Sequence, residues 1–255
     1  MKLLAIILAL SVVVAPGSDS LPSEASVKKT IATYYGDPGT GRASANSPYA
    51  TEVKGLLKQL PPLTKDAAII VDVDDTMLLT YNMEVGAYDF EFDRATKDRW
   101  IKYAKFPAVP GMVAYLKAAS SAGFKIIAVT GRDQKYAAKT RQNLAKVGYP
   151  SMPLYAKNCT CTTVEFKAGT RKKIEKQGYD IVLNIGDQFS DLQGGFADST
   201  LKLPNPMYFV ASKGAKVEKG LTPRTEFTVE PDGSSGLTEG GEGIPNFDLV
   251  EKYRD

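Results

Sequence analysis

The chain has 255 residues, of which 43% are hydrophobic, and a formal net charge of +3. A chain of this size can bury one substantial core, and its small charge gives no argument for binding a nucleic acid polymer. It contains no histidine. Phosphatases that form a phosphohistidine, Ser-His-Asp hydrolases and imidazole-rich zinc or di-iron sites are therefore excluded.

The first 17 residues have the pattern of a signal peptide. Lys2 supplies a positive start, residues 3–14 are largely apolar, and residues 15–17 are small before a polar region. We expect a signal peptide within residues 1–20, removed by cleavage after Gly17 or after Ser20, and a secreted product. The apolar stretch is too short to span a bilayer and no cysteine at its end could accept a lipid, so we expect no membrane anchor.

Residues 21–66 predict one or two helices that pack on a core beginning at residue 67. The loop at 36–41 lacks the Lys and Ser/Thr of a phosphate-binding loop, so it reads as a turn. An apolar run at 67–71 then predicts a buried strand, and Asp72 and Asp74 follow it directly. Open α/β sheets place their chemistry at such strand ends.

Asp72 and Asp74 occupy alternating positions, so they converge on one spot unless the chain turns between them. Two adjacent carboxylates repel each other unless a cation or a proton lies between them, and a hard divalent ion such as Mg²⁺ fits oxygen ligands. The same acidic pattern also caps helices and starts turns, so by itself it does not define a site.

Further polar residues follow later apolar segments. Residues 124–129 predict a second strand, which ends in Thr130 and Arg132, a hydroxyl and a fixed cation suited to binding an anion. The 165–177 segment, with Lys167, predicts a largely solvated helix. Residues 179–185 predict a fourth core strand, followed by an acidic loop with Asp187 and Asp191. Four strand ends are thus expected to carry two acids, a threonine, a lysine and two more acids.

Each of these positions also has a purely structural interpretation. Thr130 fits an ordinary strand end, Lys167 a solvated helix charge, and Asp191 the N-cap of a following helix. Arg132 has two alternatives, either reaching a phosphate or pairing with Asp133 or another acid. Their joint occurrence in this order is what favours a site.

Residues 81–109 form a longer connection than a simple crossover needs, and they are rich in aromatic residues. We interpret them as a small helical cap over the site. An aromatic ring there, with Trp100 as the first candidate, could stack on a flat leaving group such as a nucleobase, or could belong to the core of the cap itself. Residues 211–255 predict a strand or two followed by a flexible tail.

Cys159 and Cys161 are the only cysteines. They predict a local disulfide or two free thiols rather than a metal site, because two thiolates without histidine or further cysteine cannot complete a tetrahedral shell.

The segments 70–80 and 182–191, with their order of acids, Thr130 and Lys167, resemble the haloacid dehalogenase (HAD) superfamily over about residues 67–210. They are most similar to its secreted acid phosphatases, subfamily IIIB, which include class B and class C enzymes and plant vegetative storage proteins. The 203–208 segment is also similar to the start of the last core strand in class C members. Asp75, where class C enzymes usually have Glu, departs from the pattern, as does Met83.

The resemblance implies an α/β fold, a three-layer sandwich with a mostly parallel, Rossmann-like sheet and the cap inserted after the first core strand. It also implies that Asp72 is the nucleophile and Asp74 the general acid and base. Thr130 and Lys167 would bind phosphate. The implied ligands of Mg²⁺ are Asp72, the backbone carbonyl of Asp74, Asp187 and, directly or through water, Asp191.

The sequence therefore predicts a secreted, Mg²⁺-dependent acid phosphatase for small phosphate monoesters, with nucleoside monophosphates as candidate substrates. Two alternatives remain open. One is a phosphotransferase that passes the phosphoryl group to an alcohol or nucleoside. The other is a storage or binding protein with the same fold and no turnover, against which the presence of Asp72 argues.

Overall fold

The computed structural model describes residues 23–210 and two later strands, 224–229 and 235–240. The predicted signal peptide lies outside the described residues, as does most of the C-terminal extension. The helices are α1 (Glu24–Tyr35), α2 (Pro48–Leu56), α3 (Tyr81–Gly86), α4 (Arg94–Tyr103), α5 (Met112–Ala122), α6 (Ala137–Lys146), α7 (Thr163–Lys176) and α8 (Phe189–Leu192). The strands are β1 (Ala67–Val71), β2 (Lys125–Asp133), β3 (Leu154–Lys157), β4 (Asp180–Gly186), β5 (Thr200–Lys202), β6 (Arg224–Val229) and β7 (Ser235–Gly240).

The first five strands form one parallel sheet in the order β3-β2-β1-β4-β5. Strand β1 lies at its centre, and all five of its residues are buried. A parallel strand covered on both faces reads as a continuous apolar run, which is why this strand is easy to predict from sequence. The C-terminal end of β1 therefore lies in the middle of the sheet edge, between the ends of β2 and β4.

The two faces of the sheet belong to different hydrophobic clusters. Ala67, Ile69 and Val71 point into the larger cluster, which α1, α2, α5 and the 81–109 segment complete. Ala68 and Ile70 point to the other face, which α7 covers. This alternation produces the three-layer α/β sandwich, and the predicted fold class is confirmed.

Local sequence signals explain where the main helices begin and end. Ser23 caps α1 by accepting a hydrogen bond from Ser26 N, and Gly36 ends it in a left-handed conformation with φ of 65°. Helix α7 begins with a capping box between Thr162 and Glu165. The cap segment contains α3 and α4, in agreement with its predicted helical character.

Several predicted boundaries are wrong. Strand β2 continues four residues beyond its predicted end at residue 129, and β3 is a short strand that the sequence analysis does not predict. The last strand of the large sheet is β5, which ends before the 203–208 segment that resembles a strand start. The only strands described after residue 210 are β6 and β7, which form an antiparallel pair.

Cys159 and Cys161 form a disulfide with a Cα–Cα distance of 5.3 Å, so the first of the two predicted alternatives holds. No helix in the described part of the chain combines the length and the apolar character that crossing a membrane requires.

Candidate active site

Asp72 lies at the end of β1 and is 6% exposed. Its backbone N–H donates to the carbonyl of Ile185 at 3.0 Å, which extends the β1–β4 pairing to the aspartate itself. Its carboxylate accepts a hydrogen bond from Lys167. Burial raises the pKa of Asp72, the positive charge of Lys167 opposes this rise, and the neighbouring charge of Asp191 reinforces it.

Lys167 reaches this position from α7, not from the end of a strand, so the expectation of four functional strand ends is wrong. Its side chain is buried, and its ammonium group bridges Asp72 and Asp191, with the Asp191 Oδ1 at 2.6 Å. Burial opposes the charge on Lys167, but the two carboxylates outweigh this effect and raise its pKa. The expectation of a largely solvated helix is also wrong for this face of α7, where Lys167 and Arg171 are both buried.

Carboxylate oxygens of Asp72, Asp187 and Asp191 all lie within 4.8 Å of one another. Burial and the charge of Asp191 raise the pKa of Asp187 to about 6. Three buried carboxylates with a single bridging ammonium group fit a hard divalent cation, which would relieve their mutual repulsion.

Asp187 is held by polar neighbours on both of its oxygens. Thr76 Oγ1 donates to Oδ1 at 3.0 Å, while Gln188 Nε2 and Asn205 Nδ2 each donate to Oδ2 at 2.8 Å. Thr76 therefore orients Asp187 from the loop that follows β1. The contribution of Asn205 depends on a contact between residues 18 positions apart, which local patterns do not reveal.

Asp191 fits tightly against the end of β4. A Cβ atom on Gly186 would lie 2.4 Å from the Asp191 Cβ, so only glycine allows this close approach. Asp191 Oδ2 accepts from Gln188 N at 2.9 Å, and its backbone carbonyl accepts from Arg171 and Asn184. The alternative interpretation of Asp191 as an N-cap does not hold, because Gln188 is the N-cap of the four-residue helix α8 and Asp191 lies within that helix.

Asp74 faces a different partner from Asp72. Its carboxylate binds Arg132, with Nη2–Oδ1 at 2.5 Å and Nε–Oδ1 at 3.0 Å, and the Lys97 ammonium lies 3.8 Å from Oδ2. Burial acts to raise the pKa of Asp74, but Arg132 and then Lys97 outweigh it and lower the pKa. Of the two alternatives for Arg132, pairing with an acid is the one observed, and the acid is Asp74; Asp133 binds Arg94 instead.

Thr130 is 1% exposed and lies beside Asp74's partner Arg132 on β2. Its hydroxyl accepts a hydrogen bond from Arg132 N at 3.2 Å. Thr130 is not among the residues that line the cavity described below, whereas the next residue, Gly131, is.

Asp75 is a buried residue whose structural role the sequence analysis does not predict. It has a left-handed backbone with φ of 55°. Its carboxylate accepts from Thr80 N at 2.8 Å, from Thr80 Oγ1 at 2.5 Å and from the Tyr208 hydroxyl at 2.5 Å. Asp75 thus joins the loop after β1 to the start of α3 and to the 203–210 segment.

A cavity of about 180 Å³ opens between the strand ends and the cap. The acidic residues that line it are Asp72, Asp74, Asp98, Asp133, Asp187 and Asp191. Among the residues described, Phe92, Arg94, Lys97, Asp98 and Ile101 are the cap residues that line it.

Trp100 does not line this cavity; its ring packs against Phe106 with centroids 5.7 Å apart. Phe92 is the cap aromatic that faces the cavity, and it is 66% exposed. An aromatic leaving group would therefore meet Phe92 before Trp100. The sequence gives no signal that separates the two, because both are aromatic residues in the same insertion.

The arrangement combines a buried carboxylate beside a lysine with a second carboxylate across the cavity and a cluster of oxygen ligands. Groups that could serve as a nucleophile, as a proton-transfer group and as cation ligands therefore adjoin one space. This combination suits displacement at an anionic centre, because the lysine and a bound cation offset the repulsion between two negative charges.

Comparison with known proteins identifies the class. The sequence pattern of the HAD superfamily, subfamily IIIB (acid phosphatase), matches residues 24–211. The chain therefore belongs to this subfamily. The match extends across the described core and includes α1 and α2.

Several plant proteins are similar to this chain. The stem 28 kDa glycoprotein of Glycine max is 36% identical over 150 residues, which make up 55% of this chain and 59% of that protein. Acid phosphatase 1 of Solanum lycopersicum is 32% identical over 149 residues, covering 55% and 58%. Vegetative storage protein 1 of Arabidopsis thaliana is 30% identical over 149 residues, covering 56% and 55%. The matched part thus spans little more than half of each relative.

Among solved structures, the class C acid phosphatase from Bacillus anthracis superposes with a TM-score of 0.54 at 21% sequence identity, covering 73% of this chain and 87% of that one. This likeness supports the shared fold.

Proposed function

We propose that the protein hydrolyses small phosphate monoesters through an aspartyl-phosphate on Asp72. The observation that carries this proposal is the buried contact between Asp72 and Lys167 beside Asp187 and Asp191, with Asp74 across the same cavity. A carboxylate held this way is a nucleophile with a fixed direction, and a lysine next to it attracts an anionic phosphate.

In the first step, an Asp72 carboxylate oxygen bonds to phosphorus while the ester oxygen leaves with the electron pair of the broken bond. Lys167 stabilises the negative charge of the transferring group. In the second step, water attacks the aspartyl-phosphate, which releases inorganic phosphate and restores the carboxylate. Thr130 remains a candidate phosphate contact. A phosphate that approached Gly131 would come within reach of Thr130, the preceding residue.

Asp74 would give a proton to the leaving alkoxide and take one from the attacking water. Arg132 and Lys97 lower its pKa, which favours the base role and shifts proton donation towards acidic solution. We therefore expect an acidic optimum, and a rate that rises steadily above neutral pH would contradict it.

Asp72, Asp187 and the backbone carbonyl of Asp74 would hold Mg²⁺, with Asp191 bonded directly or through water. When bound, the ion supplies positive charge that lowers the repulsion between the nucleophile and the phosphate. Carboxylate oxygens also suit Ca²⁺ and Mn²⁺. The preference of the site for Mg²⁺ over these ions is therefore itself part of the proposal.

The leaving group would lie towards the cap. Phe92 and Ile101 give this side of the cavity an apolar surface, and Tyr136 adds a second ring. Nucleoside monophosphates are plausible substrates because a base could stack on an exposed ring. If Phe92 has this role, Phe92→Ala should raise KM for a nucleoside monophosphate more than for methyl phosphate.

Export through the predicted signal peptide is part of the same proposal. The Cys159–Cys161 disulfide supports it, because disulfides persist in oxidising compartments and are rare in the cytosol.

A non-catalytic storage role is the second candidate, and it is favoured by the similarity to plant vegetative storage proteins. Asp72 and Lys167 argue against it, because turnover needs both and storage needs neither. Transfer of the phosphoryl group to an added alcohol or nucleoside is the third candidate, and product analysis with such an acceptor separates it from hydrolysis.

The test is phosphate release from p-nitrophenyl phosphate and a panel of nucleoside monophosphates at about pH 5, with Mg²⁺ or with a chelator. Asp72→Asn should abolish release. Asp66→Asn makes the same change at an exposed position just before β1 and should leave the activity intact. No release from the folded wild-type protein in Mg²⁺ would favour a storage or binding role.

A further inference from the structure

Arg132 is a buried arginine whose three guanidinium nitrogens each contact a protein group. Besides the Nη2 and Nε contacts to Asp74 Oδ1, its Nε lies 3.2 Å from Asp74 Oδ2, and its Nη1 donates to Thr140 Oγ1 at 3.2 Å. The guanidinium carbon lies 5.2 Å from the centroid of the Phe106 ring. The side chain is only 1% exposed.

Each of the three guanidinium nitrogens therefore has a partner, and an aromatic ring packs against the group. Arg132 lines the cavity, but a phosphate that bound its guanidinium group would compete with the contacts to Asp74 and Thr140. By contrast, Lys167 already lies beside Asp72, where a transferring phosphate would be. Lys167 thus lies on the side of the cavity where the phosphate would bind, and Arg132 lies on the side of Asp74.

We propose that Arg132 is a positioning residue for Asp74 and not a phosphate ligand. A planar guanidinium group that grips a carboxylate through two nitrogens fixes both the position and the plane of that carboxylate. Thr140 on α6 and the Phe106 ring in turn fix the guanidinium group. Arg132 thereby holds Asp74 on the leaving-group side of the cavity. This inference rests on the proposed function of Asp74 in proton transfer.

The inference predicts a dependence on the leaving group. An alkyl alkoxide needs a proton as it leaves, whereas p-nitrophenolate is stable without one. The ratio kcat/KM reports the steps up to the loss of the alcohol, so it isolates the proton given by Asp74. Loss of Arg132 should therefore harm the hydrolysis of an alkyl phosphate and largely spare that of p-nitrophenyl phosphate.

The experiment compares Arg132→Lys, Arg132→Ala and Thr140→Val with wild type, using glycerol 2-phosphate and p-nitrophenyl phosphate. General acid catalysis contributes about 10²–10⁴-fold, so we expect Arg132→Ala to lower kcat/KM for the alkyl ester by about 10–100-fold and for the aryl ester by less than about threefold. Arg132→Lys keeps the charge but loses the fork, so it should show the same pattern more weakly. Thr140→Val leaves the contacts between Arg132 and Asp74 in place and should show a small change in the same direction.

Inhibition by inorganic phosphate distinguishes the competing role. A positioning residue leaves the inhibition constant unchanged, and the exposed Arg141→Ala serves as a matched control. Equal losses on both esters together with weaker phosphate inhibition would assign Arg132 to phosphate binding. Equal losses with unchanged inhibition would reduce it to a structural role, and either result overturns the inference.

Failure of the proposed function shows itself separately, as wild-type protein that releases phosphate from neither ester. In that case the crystal structure of Arg132→Lys decides the inference, because it requires no turnover. A displaced Asp74 carboxylate supports the positioning role, and an Asp74 carboxylate in its wild-type position overturns it.

Discussion

Replacing Lys167 by methionine would test the electrostatics of the candidate site without reference to turnover. Methionine keeps most of the length and apolar character of the lysine stem but removes its charge. The ammonium group is the only positively charged side chain among the described residues that bridges Asp72 and Asp191. After the change, these two buried carboxylates and Asp187 would face one another within 4.8 Å with no bridging charge.

Removing one partner of a buried ion pair costs about 3–5 kcal/mol, because the remaining charge stays desolvated without compensation. We expect a loss of this size in the free energy of unfolding at about pH 8 with a chelator present. Burial already raises the pKa of Asp72, and loss of Lys167 raises it further, so the folded variant can take up a proton. A carboxyl group with a raised pKa in the folded state loses stability as the pH rises, so the penalty should shrink at about pH 5.

Magnesium should reverse part of the same loss. If Mg²⁺ binds the folded carboxylate cluster as proposed, then at a concentration about 100 times its dissociation constant it adds about 2.7 kcal/mol to the free energy of unfolding. Lys167→Met removes a cation that competes for the same carboxylates, so Mg²⁺ should stabilise the variant more than it stabilises wild type.

The assay is urea unfolding followed by circular dichroism, at both pH values and with either a chelator or Mg²⁺. Lys176→Met changes an exposed lysine near the end of the same helix and should cost no more than about 0.5–1 kcal/mol. If Lys167→Met unfolds at the wild-type urea concentration in chelator at the higher pH, removing the bridging charge costs no stability and the expected penalty is refuted.

Three further predictions concern other contacts. Asn205→Ala removes a donor to Asp187, so it should weaken Mg²⁺ binding by about 10–100-fold in calorimetric titration; unchanged affinity would show that Asn205 does not orient the ligand. Burial raises the pKa of Glu84 from 4.5 to about 7, so the native protein loses stability as the pH rises through that interval. In urea unfolding, the stability of Glu84→Gln relative to wild type should therefore be greater at pH 8 than at pH 5 by about 1–3 kcal/mol, and an equal difference at both pH values would contradict this. Asn143→Ala removes both side-chain hydrogen bonds to the Phe106 backbone and should cost about 2–4 kcal/mol, while a cost below about 0.5 kcal/mol would mean that water replaces them.

The elements that were predictable are those whose signal is local. The apolar run at 67–71 identifies β1 because a central parallel strand is buried on both faces. The position of Asp72 at the end of this strand is predictable as well, because Asp72 is the next residue in the chain. The fold class and the subfamily resemblance depend on these short-range patterns, and both are confirmed.

Features set by long-range contacts were not predictable in the same way. The burial of Lys167 and Arg171 was not predicted, because the composition of α7 is dominated by exposed lysines. Which of its residues are buried depends on which face of the helix meets the sheet. Short β3 lacks the length that gives a strand a clear pattern. Likewise, the choice between Phe92 and Trp100 depends on how α4 and the loop before it lie over the cavity.

Sequence alone determined which groups are available: an acid pair after β1, a Thr-Gly-Arg segment near the end of β2, and an acidic loop after β4. Tertiary structure decided how they are paired. Asp72 binds Lys167 and Asp74 binds Arg132, although both acids come from one short segment. The reason is that the chain turns after Asp72, so the two carboxylates meet cations from different elements, and the energy of a buried charge depends on the partner that packing brings to it.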